Sequence, residues 1–262
     1  MKVSRCSLVA MFLMCSMSAR GGVFYLLDNT RDRLLAGDLS DPAAAQPLAA
    51  LLTGSWLDLA AASVPDQVFA VEANARKIYT LNGINGSIIN QITVDREIRS
   101  IAYDISAGVM YGLPQSGGLE LFTVDMTTGE TSLIGQTGIL ESAVLTFGMG
   151  YDVSNATLYV STDSRLYAID PTNAATSLIG TLSLNRVFDV AYNFADGQLY
   201  ATDISTNSLY RVDRTNANLT LIGGSYENST LGTGLEFAIP EPAAAYSLSA
   251  CLLLIRRRRT GG

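Results

Sequence analysis

A four-residue pattern returns five times at a nearly constant interval, and that interval restricts the folds open to this chain. Leu35-Ala36-Gly37-Asp38, Tyr79-Thr80-Leu81-Asn82, Phe122-Thr123-Val124-Asp125, Tyr167-Ala168-Ile169-Asp170 and Tyr210-Arg211-Val212-Asp213 occupy equivalent places, spaced 44, 43, 45 and 43 residues apart. The clearest copy lies within Gln198 to Gly223. It reads as strands at Leu199 to Thr202, Ser208 to Val212 and Leu219 to Ile222, separated by turns rich in Asp, Asn, Ser and Thr.

The flanking segments repeat in step. Tyr25, Phe69, Tyr111, Tyr159 and Tyr200 mark a strand before each copy, and Ser-Leu-Ile-Gly at 132–135 and 177–180, with Thr-Leu-Ile-Gly at 220–223, marks one after it. A fourth strand precedes the later units at Ser100 to Asp104, Phe147 to Asp152 and Asp189 to Asn193, with Leu57 to Ala60 a weaker copy. Four strands per period of about 40–45 residues predicts an all-β fold, a five-bladed β-propeller of four-stranded blades over 22–238. Strict alternation is scarce within the strands, as expected of sheets covered on both faces. The first unit lacks a strand ahead of Val23, and Gly234 to Ala238 supplies one at the far end. Pairing the two would close the ring in the first blade and remove two open edges. Asp125, Asp170 and Asp213 open the last turn of their units, and Gly86 and Gly129 stand where a positive φ is wanted.

Charge and residue usage exclude several chemistries. Between residues 21 and 242 there are 10 basic against 24 acidic side chains, a formal net of −14. Such a body repels phosphate backbones, which argues against nucleic-acid binding. The chain has no histidine, so the usual general base and commonest metal ligand are missing. Its three cysteines, Cys6, Cys15 and Cys251, fall in the terminal segments, leaving the body without a thiol or disulfide.

Both termini carry addresses, and their apolar segments are expected to be helical. Lys2 and Arg5 precede a ten-residue apolar run, Cys6 to Cys15, and small residues follow. Residues 1–19 therefore read as a secretory signal peptide cleaved after Ser18 or Ala19. At the other end, Pro240-Glu241-Pro242 is followed by apolar Ala243 to Ile255 and by Arg256, Arg257, Arg258 and Arg259. The prolines hold the first segment extended, and four arginines would keep the end of an inserted segment in the cytoplasm. The apolar stretch is short, about 20 Å as a helix against roughly 30 Å of hydrocarbon.

Residues 239–262 resemble the PEP-CTERM sorting tail of exported bacterial proteins. The resemblance implies that an exosortase, a membrane-embedded cysteine protease, recognises and removes the tail after transient membrane anchoring. It further implies delivery to the cell surface and association with exopolysaccharide or biofilm.

Chemistry in a propeller gathers on the face built by the connections between blades and by the loops between second and third strands. Asp28, Glu72, Asp163 and Asp203 end successive second strands there, and Trp56 and Tyr226 sit in the connections. Carboxylates so placed are of the kind that bind Ca²⁺ or supply an acid–base pair for glycoside hydrolysis. They are also the residues that cap hairpin turns, the preferred reading. No catalytic constellation, resident cofactor or metal-spaced cluster is legible. The expected role is a non-enzymatic binding or matrix protein with polysaccharide as partner; the alternative is a surface hydrolase or glycosidase using the propeller-face carboxylates, with or without Ca²⁺.

Overall fold

A computed structural model describes residues 22–28, 31–50, 56–72, 75–114, 119–139, 148–162, 164–224 and 234–239. The signal segment 1–19 and the sorting tail from Pro240 onward, with their expected helices, lie outside these residues. Among the described residues there are twenty strands in five antiparallel sheets of four, the architecture of a five-bladed propeller.

Numbered in chain order, the first blade holds β1 (Val23–Asp28), β2 (Arg33–Asp38) and β3 (Asp41–Ala50). The second is β4 (Trp56–Ala61), β5 (Gln67–Glu72), β6 (Lys77–Asn82) and β7 (Ile88–Thr93). The third is β8 (Ile98–Asp104), β9 (Val109–Pro114), β10 (Glu120–Val124) and β11 (Thr131–Gln136). β12 (Gly148–Asp152), β13 (Thr157–Ser161), β14 (Arg165–Ile169) and β15 (Thr176–Thr181) form the fourth, and β16 (Val187–Asn193), β17 (Gln198–Asp203), β18 (Ser208–Val212) and β19 (Leu219–Gly224) the fifth. β20 (Leu235–Phe237) pairs antiparallel with β1, giving the first sheet the order β20-β1-β2-β3. The Ala-rich stretch forms a full outer strand in β3, with two register irregularities against β2.

Burial grades from inside to outside. Every residue of β16 is buried, whereas β15 exposes Ser177 and Leu178. The core is not inside any one sheet. It consists of apolar clusters between neighbours: Leu27 and Leu34 with Trp56 and Leu59, Val71 and Ile78 with Ile101 and Phe122, Leu113 and Leu121 with Met149 and Leu158. Leu166 joins Val187 and Val190, and Phe24 and Phe237 join Tyr200 and Leu209. A four-stranded blade alone leaves both faces bare, so stacking supplies the apolar burial.

The turns between third and fourth strands show why Asp recurs there. Asp170 Oδ1 accepts the Thr172 N–H at 2.8 Å and the Thr172 hydroxyl at 2.7 Å, and Asp213 does the same with Thr215 at 2.8 and 2.7 Å. These bonds let a short loop reverse the chain before the next strand begins. Gly86 and Gly129 have φ of 72° and 79°, the left-handed region that glycine enters without steric cost.

Candidate functional site

In each blade the loop between second and third strands and the connection to the next blade fall at the same end of the strands. Asp28, Glu72 and Asp203 end β1, β5 and β17 on that face, and each is already engaged. The buried Asp28 carboxylate accepts the Arg33 Nε–H at 2.9 Å, with Arg31 3.5 Å away. Glu72 accepts the Tyr79 hydroxyl at 2.8 Å; burial, then this bond, push that phenol up to about 12. Asp203 is fully buried, accepting the Thr206 N–H at 2.8 Å and the Arg186 N–H at 3.1 Å. Trp56 opens β4 rather than sitting in a connection. It is fully buried beside Tyr79, with ring centroids 5.0 Å apart, so it offers no platform to a sugar. Asp163 and Tyr226 lie outside the described residues.

A different group of carboxyls lies deeper, where the five innermost strands meet. Pairing to the second strands places Asp58, Ser100, Gly148, Asp189 and Gly234 at one level, opposite Val71, Leu113, Ser161, Thr202 and Leu27. Two residues further on stand Ala60, Ala102, Gly150, Ala191 and Glu236. Both sets face the same way because side chains alternate along a strand. The small members permit close approach: a Cβ on Gly150 would lie 2.8 Å from the Val190 carbonyl oxygen, and one on Gly148 would overlap the Asp189 carboxyl.

The large members bridge blades. Asp58 Oδ1 accepts the N–H of Leu59 at 2.9 Å, while Oδ2 accepts the Ser100 hydroxyl at 2.6 Å and the Ile101 N–H at 2.8 Å from the third blade. Asp189 repeats the arrangement, taking Val190 N–H at 2.7 Å and, from the first blade, Leu235 N–H at 2.5 Å. Glu236 takes Phe237 N–H at 2.7 Å and, from the second blade, Ala61 N–H at 2.9 Å. These N–H groups lie on inner strand edges that have no further strand to pair with, so the carboxyls satisfy donors that would otherwise be buried alone. The charge of Asp58 also opposes ionisation of Asp189. Burial raises both well above the usual carboxylate range, and it raises Glu236 to about 8 against the pull of its two N–H bonds.

This cluster is not singled out by composition or by any motif. The signal that could have found it is the register itself: two aspartates and a serine alternate with glycines at one position of the innermost strands, within otherwise apolar runs. With each of the six carboxyl oxygens accepting from the protein, the cluster is built to join blades. Among the described residues, no group of three or more Asp, Glu, Cys or His side chains is arranged to hold a metal ion.

No family model matches the sequence. No curated protein matches it either. Among solved structures, it is similar to a chain in the crystal structure of a nidogen/laminin complex, at 14% identity and a TM-score of 0.61, over 84% of this chain and 99% of that one. It also aligns with a protein of unknown function from Bacteroides thetaiotaomicron at 14% identity and a TM-score of 0.48, over 76% of this chain and 49% of that one. At such identities the first likeness speaks to fold alone, and it agrees with a propeller.

Proposed function

We propose that this chain is an exported, surface-sorted propeller, its ring closed by β20 in the first blade, that acts as a non-enzymatic binding or extracellular-matrix protein. The observation that carries the binding reading over a hydrolytic one is the state of the loop-face carboxylates. Asp28, Glu72 and Asp203 are each taken up by a neighbour in their own blade: Arg33, Tyr79 and the Thr206 turn respectively. A glycosidase needs two carboxyl groups roughly 5–10 Å apart with substrate between them. Asp58 and Asp189 are fully buried, with their oxygens filled by blade-to-blade bonds, so neither is open to a substrate.

The address is read from the ends of the chain. The basic-apolar-small order of 1–19 supports export, and Pro240-Glu241-Pro242 with Arg256 to Arg259 supports exosortase processing after membrane anchoring. In this reading the acidic body keeps the released protein soluble, and exopolysaccharide is the ligand class.

A glycan array probed with the full chain, with and without Ca²⁺, tests the binding half. Saturable polysaccharide binding is expected. Release of reducing sugars would favour the hydrolase, and no binding in either condition would remove both. Co-expression with an exosortase tests the sorting half. Mass spectrometry should find the surface form lacking the residues after the Pro-Glu-Pro segment, and an intact tail would overturn it.

A further inference from the structure

We propose that β20 is a pH-dependent latch: the central carboxyls hold Leu235–Phe237 in the first sheet while they retain protons, and loss of those protons loosens the strand and the chain that runs from it to Pro240.

The argument starts from how β20 is held. β4, β8, β12 and β16 are each joined to their second strand by a short hairpin turn. β20 reaches its sheet from the opposite end of the chain, so no turn ties it to β1. Its ladder is also short: Phe24 faces Phe237, Tyr25 faces Glu236, and Leu26 faces Leu235, with one backbone bond beyond each end. Burial of Leu235 and Phe237 supplies apolar attachment, Phe237 lying 5.0 Å from Tyr200 and 6.4 Å from Phe24 between ring centroids. The rest of the hold comes from carboxyls. Asp189 grips the Leu235 N–H from the fifth blade, and Glu236 reaches to the Ala61 N–H of the second. Gly234 packs closely against β1 and the second blade: a Cβ there would lie 2.8 Å from Leu27 Cδ1 and 2.9 Å from Leu59 N.

Among the described residues, no cation figures among the causes that shift the three carboxyls. β1 presents Tyr25 opposite Glu236, and β5 presents Val71 opposite Asp58, with the Glu72 carboxylate turned to Tyr79. β8 contributes Ser100 and its neighbour Arg99, whose guanidinium lies 6.0 Å over the Phe188 ring of β16. β12 presents Gly148, and β17 presents Thr202 with Asp203 beyond it, turned to Thr206. Deprotonating both Asp58 and Asp189 therefore sets two bare charges against each other in a buried site. Both aspartates and Glu236 are displaced upward in pKa, mainly by burial, so the open state binds fewer protons and opening is favoured as pH rises.

The test is amide hydrogen exchange on the full chain at pH 6 and pH 9, with rates corrected for intrinsic exchange. Opening grows about tenfold per pH unit for each proton released, and Glu236 alone, raised to about 8, gives about a hundredfold. Protection over 234–239 should therefore fall by at least about a hundredfold while that of β18 holds within about threefold. Protection over 234–239 that is independent of pH, or a loss shared equally by β18, would overturn the proposal. In Asp189→Asn and Glu236→Gln the pH response should flatten, and a full response in both variants would overturn it. Fluorescence of Trp56, the chain's one tryptophan, gives a second readout beside Asp58 that needs no variant. Its emission should move to the red between pH 6 and 9, and an unmoved emission counts against opening.

Discussion

Gly180 and Ala217 are complementary across the junction of the fourth and fifth blades: a methyl on Gly180 would stand 3.1 Å from the Ala217 Cβ and 2.8 Å from the Asn216 carbonyl oxygen. Gly135 and Ala174 repeat the fit one blade earlier, at 3.2 Å. At the junction of the second and third blades the glycine is on the turn instead: a side chain on Gly129 would collide with the Thr93 carbonyl oxygen. The recurring glycine of the outer strand is thus a socket for the next blade's turn, and Ala174 and Ala217 hold φ of 63° and 61° to fill it.

Gly180→Ala should therefore destabilise the protein by about 1–3 kcal/mol, because the new methyl meets backbone that cannot rotate away. Ala217→Gly should stay within about 1 kcal/mol of the parent. Relief of the left-handed strain, about 1–2 kcal/mol, offsets the lost methyl contact and the extra freedom of glycine when unfolded. Urea denaturation of both variants measures the asymmetry.

Trp56 is a packing residue, so Trp56→Ala should cost about 3–5 kcal/mol, read as a fall in the denaturation midpoint. Glycan binding by the variant that remains folded should be unchanged, which separates packing from ligand contact.

The two arginines at Asp28 should differ sharply. Arg33→Ala leaves a buried carboxylate without its 2.9 Å partner and should cost about 2–3 kcal/mol, below the figure for a fully buried pair because Arg33 keeps 22% of its side chain in water. Arg31, 43% exposed and 3.5 Å away, should cost under about 1 kcal/mol as Arg31→Ala. Thermal melts of the pair decide it.

Stability should pass through a maximum at mildly acidic pH, about 4–5. Asp125, Asp170 and Asp213 are held below the usual carboxylate range by turn hydrogen bonds, so their contribution is present above the unfolded pKa and lost as pH falls. Asp58, Asp189 and Glu236 are raised by burial, so theirs is fully present below the unfolded pKa and lost as pH climbs, through about 8 in the case of Glu236. Circular-dichroism melts from pH 3 to 9 should trace both limbs. A curve still rising at pH 8 would contradict the assignment of the core carboxyls.

Leu133, Leu178 and Leu221 repeat in register yet are 60%, 56% and 61% exposed. Replacing any one by Ser should shift stability by no more than about 0.5 kcal/mol. Guanidinium denaturation of the three variants checks that these positions are surface, not core.

The sequence alone determined the repeat and its consequences. Blade number, strands per blade and the Asp-opened turns all follow from residues close together in the chain, where turn chemistry and side-chain alternation act within a few positions. It also marked Asp28, Glu72 and Asp203 as strand-ending carboxylates, but whether each meets a ligand or a neighbour depends on Arg33, Tyr79 and Thr206 folding back onto it. What only the tertiary structure decided is which repeated residue faces another blade. The leucine of Ser-Leu-Ile-Gly points to solvent while its glycine receives an alanine 37 residues on, at Gly180 and Ala217. Asp58, Asp189 and Glu236, spread over 179 positions, become one buried cluster. Stacking sets those contacts, and a local pattern carries no term for the distance between strands of different blades.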